Sequence, residues 1–106
     1  MAKQQSNIQE RRRLSLDYPC MYNVIMHNDD FTTMEFVVEV LKTVFFKPEG
    51  EANQLMLKVH KEGKAIVGLY TLDVAVSKSQ KAMRMARDKG FPFKLTWEPE
   101  DRGIPF

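Results

Sequence analysis

The run Asn28-Asp29-Asp30 separates two segments whose apolar residues recur with different periods. Before it, Met21 to His27 carries Tyr22, Val24 and Met26 on one parity and Met21 and Ile25 on the other. That pattern describes an extended segment covered on much of both faces, or a central strand. After it, Met34, Val37, Val38, Leu41 and Phe45 recur at helical spacing, and Phe36, Val40 and Val44 widen the stripe. Asn and Asp break strands and favour turns and helix caps. Thr32 or Thr33 can cap the helix, and Glu35 and Glu39 fall near the positive end of its dipole. The chain is thus committed here to a strand, a polar turn and a helix. The breadth of the helix's apolar face predicts that it lies deep, with both flanks covered.

The remaining segments follow from their own punctuation. The first helix runs to about Phe46, where Lys47-Pro48 ends it, and Pro48 opens a second helix to Glu62. Ala52, Leu55, Met56 and Val59 form its buried stripe, and Gly63 is a natural C-terminal cap. Lys64 to Tyr70 reads as a strand in which Gly68 marks a bulge or a close backbone approach. Thr71 caps a third helix, Leu72 to Lys89, which stops at Gly90. Phe93 to Trp97 alternates as a last strand. Three strands cannot cover themselves. The order β-α-α-β-α-β therefore predicts an α+β fold, a small three-stranded antiparallel sheet with three helices packed on one face.

A chain of 106 residues suits one small domain, with no room for a deep catalytic cavity beside its core. Residues 19–98 hold the apolar pattern. Residues 1–18 have no apolar face to offset the entropy of ordering and read as a flexible N-terminal extension, and residues 99–106 read as a C-terminal tail. Arg11-Arg12-Arg13, followed by Leu14 and Leu16, could bind an acidic partner but is read as a solvated or loosely engaged charge run. The formal net charge of +2 implies no strong field for nucleic acid. A single cysteine, Cys20, excludes an internal disulfide and a cysteine metal site. There is no long apolar run, and none behind the N-terminal basic residues, so neither a membrane span nor a secretory signal is expected. These features suit a cytoplasmic protein.

Met56, Val59 and His60 share one face of the second helix, and Met34 and Val37 share one face of the first. If the two helices pair, these side chains line one apolar cup, with Asn28 and Asp29 at its rim. Each apolar member taken alone is equally a plain core residue, since Met commonly fills gaps, and His60 equally complements a helix C-terminus. Two other classes compete. A metal-dependent hydrolase would use His27, Asp29, Asp30 and His60, yet no H-E-x-x-H spacing exists. A nucleic-acid module would use Lys78, Lys81, Arg84 and Arg87 on the third helix with Trp97, yet acidic residues interleave and the net charge is near balance.

Asn28-Asp29-Asp30-Phe31-Thr32-Thr33-Met34-Glu35-Phe36-Val37 resembles the N-D-D-(aromatic)-T-P-M-E-F-V signature of the ClpS family, adaptors of the bacterial Clp protease. Leu55 to Gly68 resembles that family's second block, L-M-x-x-V-H-x-x-G-x-A-x-x-G, and the likeness extends over Met21 to Trp97. The resemblance implies a non-enzymatic adaptor without cofactor or metal. It would bind proteins by a free N-terminal Leu, Phe, Tyr or Trp and deliver them to the AAA+ unfoldase, ClpA-like or ClpC-like. By the same resemblance Asn28, Asp29 and His60 hold the α-amino group, and Thr32, Met34, Val37, Met56, Val59 and Phe93 form the side-chain pocket. Asp30 is assigned to the turn. Asp73 and Lys78 contact the unfoldase, and the N-terminal extension serves delivery. Thr33 stands where the family usually has proline, which implies a looser helix start. Phe31 stands in place of the common tyrosine, and Phe93 in place of leucine, which narrows the pocket.

Overall fold

The structure, a computed structural model, describes residues 20–100. The expected N-terminal extension, and the tail beyond Glu100, lie outside the described residues. Six elements follow in order: β1 (Met21–His27), α1 (Met34–Thr43), α2 (Glu49–Glu62), β2 (Lys64–Thr71), α3 (Leu72–Asp88) and β3 (Lys94–Pro99).

β1 is the central strand of the sheet, in the order β2-β1-β3, with both neighbours antiparallel. This explains its apolar residues on both parities. Val24 and Met26 are fully buried on the helix-covered face, where Met26 stands opposite Ala65 and Leu95. Ile25 points the other way and is also buried, whereas its neighbours on that face, Ile66 and Leu69, stay 54% and 40% exposed. Asymmetric coverage of this kind is expected when helices pack on one side of a small sheet.

Gly68 marks a bulge. The partner of Val24 is Gly68 but the partner of Ile25 is Ile66, so β2 carries one extra residue at Val67. The glycine also permits a close approach, because a Cβ there would run into the Tyr70 ring. Tyr70 in turn packs against Phe45, ring centroids 6.2 Å apart.

The helices meet the sheet through different surfaces. Ala75, Ser79, Ala82 and Ala86 form a small-residue stripe that lets α3 lie close across all three strands. α2 packs against α1 and β2, burying Ala52 and Val59. α1 buries Phe36, Val37, Val40 and Leu41.

Two boundaries differ from the sequence expectation. α1 ends at Thr43 rather than near Phe46. The chain leaves it through Phe46 at φ 56°, a left-handed conformation uncommon outside glycine, and the Lys47 N–H closes on the Leu41 carbonyl at 2.9 Å. β3 begins after Phe93 and continues through Pro99, so Glu98 and Pro99 belong to the sheet. The Glu100 N–H extends the ladder to the Met21 carbonyl at 2.8 Å. Proline is tolerated there because β3 is an edge strand.

Candidate functional site

The turn from β1 to α1 is held by one carboxylate. Asp29 Oδ1 accepts from the backbone N–H groups of Phe31 (2.8 Å) and Thr32 (2.7 Å), and Asp29 Oδ2 accepts from the Thr32 hydroxyl at 2.7 Å. Desolvation alone would raise the Asp29 pKa. The bonds from the Thr32 backbone, the Thr32 hydroxyl and the Phe31 backbone outweigh it, and the net shift is downward. Asp30 makes none of these bonds; it stands exposed at the rim of the cavity described below. Asp30 lies in the turn, as expected, but the bonds that hold the turn come from Asp29. Asp29 organises the backbone because its side chain reaches the N–H groups two and three residues on, the usual Asx geometry.

Thr33 then caps α1, its hydroxyl accepting from the Phe36 N–H at 3.1 Å. The helix start is consequently bonded rather than loose, and Met34 is fixed as the first helical residue.

The second rim comes from the end of α2. Gly63 takes φ 92° and donates to the Val59 carbonyl at 2.9 Å, a left-handed cap that reverses the chain after His60. The Gly63 carbonyl then accepts from the Asn28 N–H, also at 2.9 Å. This bond ties the β1–α1 turn to the α2 terminus and brings Asn28 and His60 to the same opening.

The result is a cavity of ≈280 Å³ lined by Asn28, Asp29, Asp30, Thr32, Met34, Val37, Met56, Val59 and His60. Val37 and Val59, 8% and 3% exposed, form the floor, while Met34, 45% exposed, stands at the mouth. Met56 is half-buried opposite it. Polar groups gather at the rim. The volume falls just below the roughly 300–1,000 Å³ of sites for drug-sized ligands, and suits one amino-acid side chain. Asp29 retains acceptor capacity on Oδ2 beyond the turn bonds, the Asn28 amide makes no hydrogen bond among the described residues, and a neutral imidazole supplies one acceptor. Such a rim can hold a cation with several N–H donors, and such a floor can hold an apolar group.

Phe93 does not line this cavity. It is 6% exposed and meets Phe36 edge-on at 5.6 Å, and Phe36 also meets Phe91 at 5.3 Å. It shares parity with Leu95 and belongs to the core cluster. Its expected narrowing of the pocket is corrected accordingly.

Asp73 and Lys78 lie apart from the cavity, on α3. Asp73 is exposed in the first turn. Lys78 is half-buried: its Nζ donates to the Val44 carbonyl at 2.7 Å and lies 4.5 Å over the Phe46 ring. Burial first, and Lys81 second, push its pKa down. Of the nucleic-acid candidates, Lys78 is thus engaged internally and Trp97 is partly buried against the core.

His27 faces away from the cup, bonded through Nε2 to the Thr96 hydroxyl at 2.8 Å. Burial lowers its pKa, with Lys94 and Lys64 adding to the effect. It cannot join Asp29, Asp30 and His60 in a metal site, and no group of three or more metal-ligating side chains occurs among the described residues. No helix among them is long and apolar enough to cross a membrane.

One surface was not anticipated. The outer flank of α1 is not covered: Met34 and Val38 border an open groove shared with Met56. The breadth of the helix's apolar stripe reflects this groove as well as the core.

A small α+β module with a one-residue cup beside an acceptor-lined rim is a recognition domain in form. The family model described as ATP-dependent Clp protease adaptor protein ClpS matches residues 17–96. An ATP-dependent Clp protease adapter protein ClpS from Desulforapulum autotrophicum is 53% identical over 83 residues, covering 78% of this chain and 80% of that protein. Its counterpart from Acetivibrio thermocellus is 47% identical over 92 residues, covering 85% and 93% respectively. Among solved structures, Agrobacterium tumefaciens ClpS2 bound to L-phenylalaninamide matches with a TM-score of 0.75 and 39% identity, over 77% of this chain and 99% of that one. The chain belongs to the ClpS family of Clp protease adaptors.

Proposed function

We propose that this protein binds the free N-terminal residue of other proteins and delivers them to the AAA+ unfoldase of a Clp protease, ClpA-like or ClpC-like, in the cytoplasm. The cup takes a large apolar first side chain, Leu, Phe, Tyr or Trp. Asn28, Asp29 and His60 take the α-ammonium, and Thr32, Met34, Val37, Met56 and Val59 enclose the side chain. The protein performs no chemistry of its own, uses no cofactor and does not act on nucleic acid. Asp73 and the face around Lys78 meet the unfoldase. The observation that carries this reading is convergence. Residues from two separate sequence blocks meet around one cavity, which has an apolar floor and an acceptor rim. The structural relative bound to L-phenylalaninamide, a lone amino-acid residue with a free amine, supports the same ligand class.

Burying a Leu or Phe side chain contributes about 1.5–3 kcal/mol, and charge-assisted bonds to the ammonium about 1.5–3 kcal/mol each. Neither half alone gives useful affinity, so recognition needs both. The test is degradation of one folded protein prepared with Leu or with Ala at its N-terminus, by a Clp unfoldase and peptidase. The chain should accelerate loss of the Leu-first protein only. Equal rates for both, with and without the chain, would contradict the reading.

A further inference from the structure

Two of the residues that line the cup carry sulfur, Met34 and Met56. Both also line an open groove of ≈430 Å³ between α1 and α2, so the wall they form is approached from two sides. Met34 is 45% exposed, the most open methionine among the described residues. Met56 is half-buried, as are Met21, Met83 and Met85 elsewhere, and Met26 is fully buried in the sheet. An oxidant in solution therefore meets the Met34 thioether first. The other half of the site is different in kind. Asn28, Asp29 and His60 form a rim without sulfur, which mild peroxide leaves unchanged.

We propose that Met34, with Met56 as a slower second site, is an oxidation site through which peroxides reversibly shut the cup. The inference rests on the cup being the site of the first residue. The Met34 sulfur attacks one oxygen of hydrogen peroxide. An S–O bond forms, the O–O bond breaks, and the leaving oxygen takes up the proton of the transferred one and departs as water. The thioether is oxidised by two electrons and the peroxide is reduced. The product, methionine sulfoxide, puts a polar side chain where a flexible apolar one stood. At the mouth of the cup it sets a polar oxygen against the large apolar side chain to be enclosed. Covering such an atom without a hydrogen bond opposes burial. A methionine sulfoxide reductase reverses the change, returning the thioether and water while a dithiol is oxidised to a disulfide.

The test is titration of the full chain with a Leu-first peptide before and after limited hydrogen peroxide treatment. Cys20→Ser is carried throughout, which removes the exposed thiol at the opposite end of β1. Mass spectrometry of proteolytic fragments locates the added oxygen. Met34 should be modified ahead of Met21, Met83 and Met85. Affinity should then fall about fivefold or more, with the circular dichroism unchanged, and sulfoxide reductase should restore it. Met34→Leu and Met34→Leu/Met56→Leu proteins are each compared with their own untreated form. The loss should shrink in the first and vanish in the second. Oxygen on Met34 without loss of affinity, a loss that comes with unfolding, or one that persists in the double variant would overturn the oxidation site and leave the cup reading intact. Earlier modification of Met83 or Met85 would do the same. Failure of the untreated protein to bind the peptide would overturn the cup reading and this inference together.

Discussion

The two ends of α1 solve the same problem in opposite ways. Both leave backbone groups without helical partners. At the N-terminal end, Asp29 and Thr33 satisfy the turn and the first helical N–H groups from within. They do so while leaving the rim groups of Asn28, Asp29 and Asp30 open to a cavity. At the C-terminal end, the Val44 carbonyl is met by Lys78 from a helix distant in sequence, and Phe46 is held under the same ammonium. One end opens on the cavity proposed to receive a ligand, and the other is closed by the protein itself. Substitutions at the two ends should therefore separate binding from stability.

The largest contrast is expected between Asp29→Asn and Lys78→Met. Asp29→Asn keeps an acceptor for the Phe31 and Thr32 N–H groups but removes the charge facing a bound ammonium. Affinity for a Leu-first peptide should fall at least about tenfold, the equivalent of about 1.4 kcal/mol, with a small change in Tm. Lys78→Met should do the reverse. Affinity should hold, while urea unfolding shows a loss of about 1–2 kcal/mol from the missing charged hydrogen bond and ring contact. Matching effects on binding from both variants would erase the distinction between the ends.

Met34→Ala sharpens the ligand end. Met34 stands at the mouth of the cup, where a β-branched first residue carries bulk next to its own backbone. The variant should admit Ile-first or Val-first peptides that the parent rejects, with a modest loss for Leu-first ones. Unchanged rejection of both would place the gate elsewhere.

The smallest effect concerns acid. The Asp29 pKa is depressed in the folded state. Its contribution to stability is therefore complete above the unfolded value of about 3.9 and is lost as pH falls through the lower folded value. Parent and Asp29→Asn should differ in urea midpoint at neutral pH and converge in strong acid. A difference that stays constant to the lowest pH would remove the carboxylate from the turn's energetics.

How much of this was legible in the sequence depended on the range of the interactions involved. The central position of β1, the bulge at Gly68 and the threonine cap of α1 are set by residues close to one another in the chain. Periodicity and turn chemistry expose such features. Spacing also showed which residues share a face on each methionine-bearing helix, whereas their pairing was only a condition and the roles at the rim came from resemblance to the family. Three features were not legible. The early end of α1 is accompanied by a bond from Lys78 to the Val44 carbonyl, which no local pattern connects to it. The division of labour between Asp29 and Asp30 depends on which carboxylate the backbone turn presents to its own N–H groups. Phe93 had the correct parity for the core face, but parity does not say whether a residue lines a cavity or stands behind it.

In the proposed function, one cavity reads a terminal residue by its amine and its side chain together. Four peptides test it by calorimetry, identical except for Leu or Ala at the first position and a free or acetylated N-terminus. Only the free Leu-first peptide should bind well. Truncation to Ala should weaken binding at least about tenfold, given about 1.5–3 kcal/mol for the buried side chain. Acetylation should abolish binding, because it removes the charge and leaves the rim acceptors unpaired. An acetylated Leu-first peptide that binds as tightly as the free one would contradict the claim.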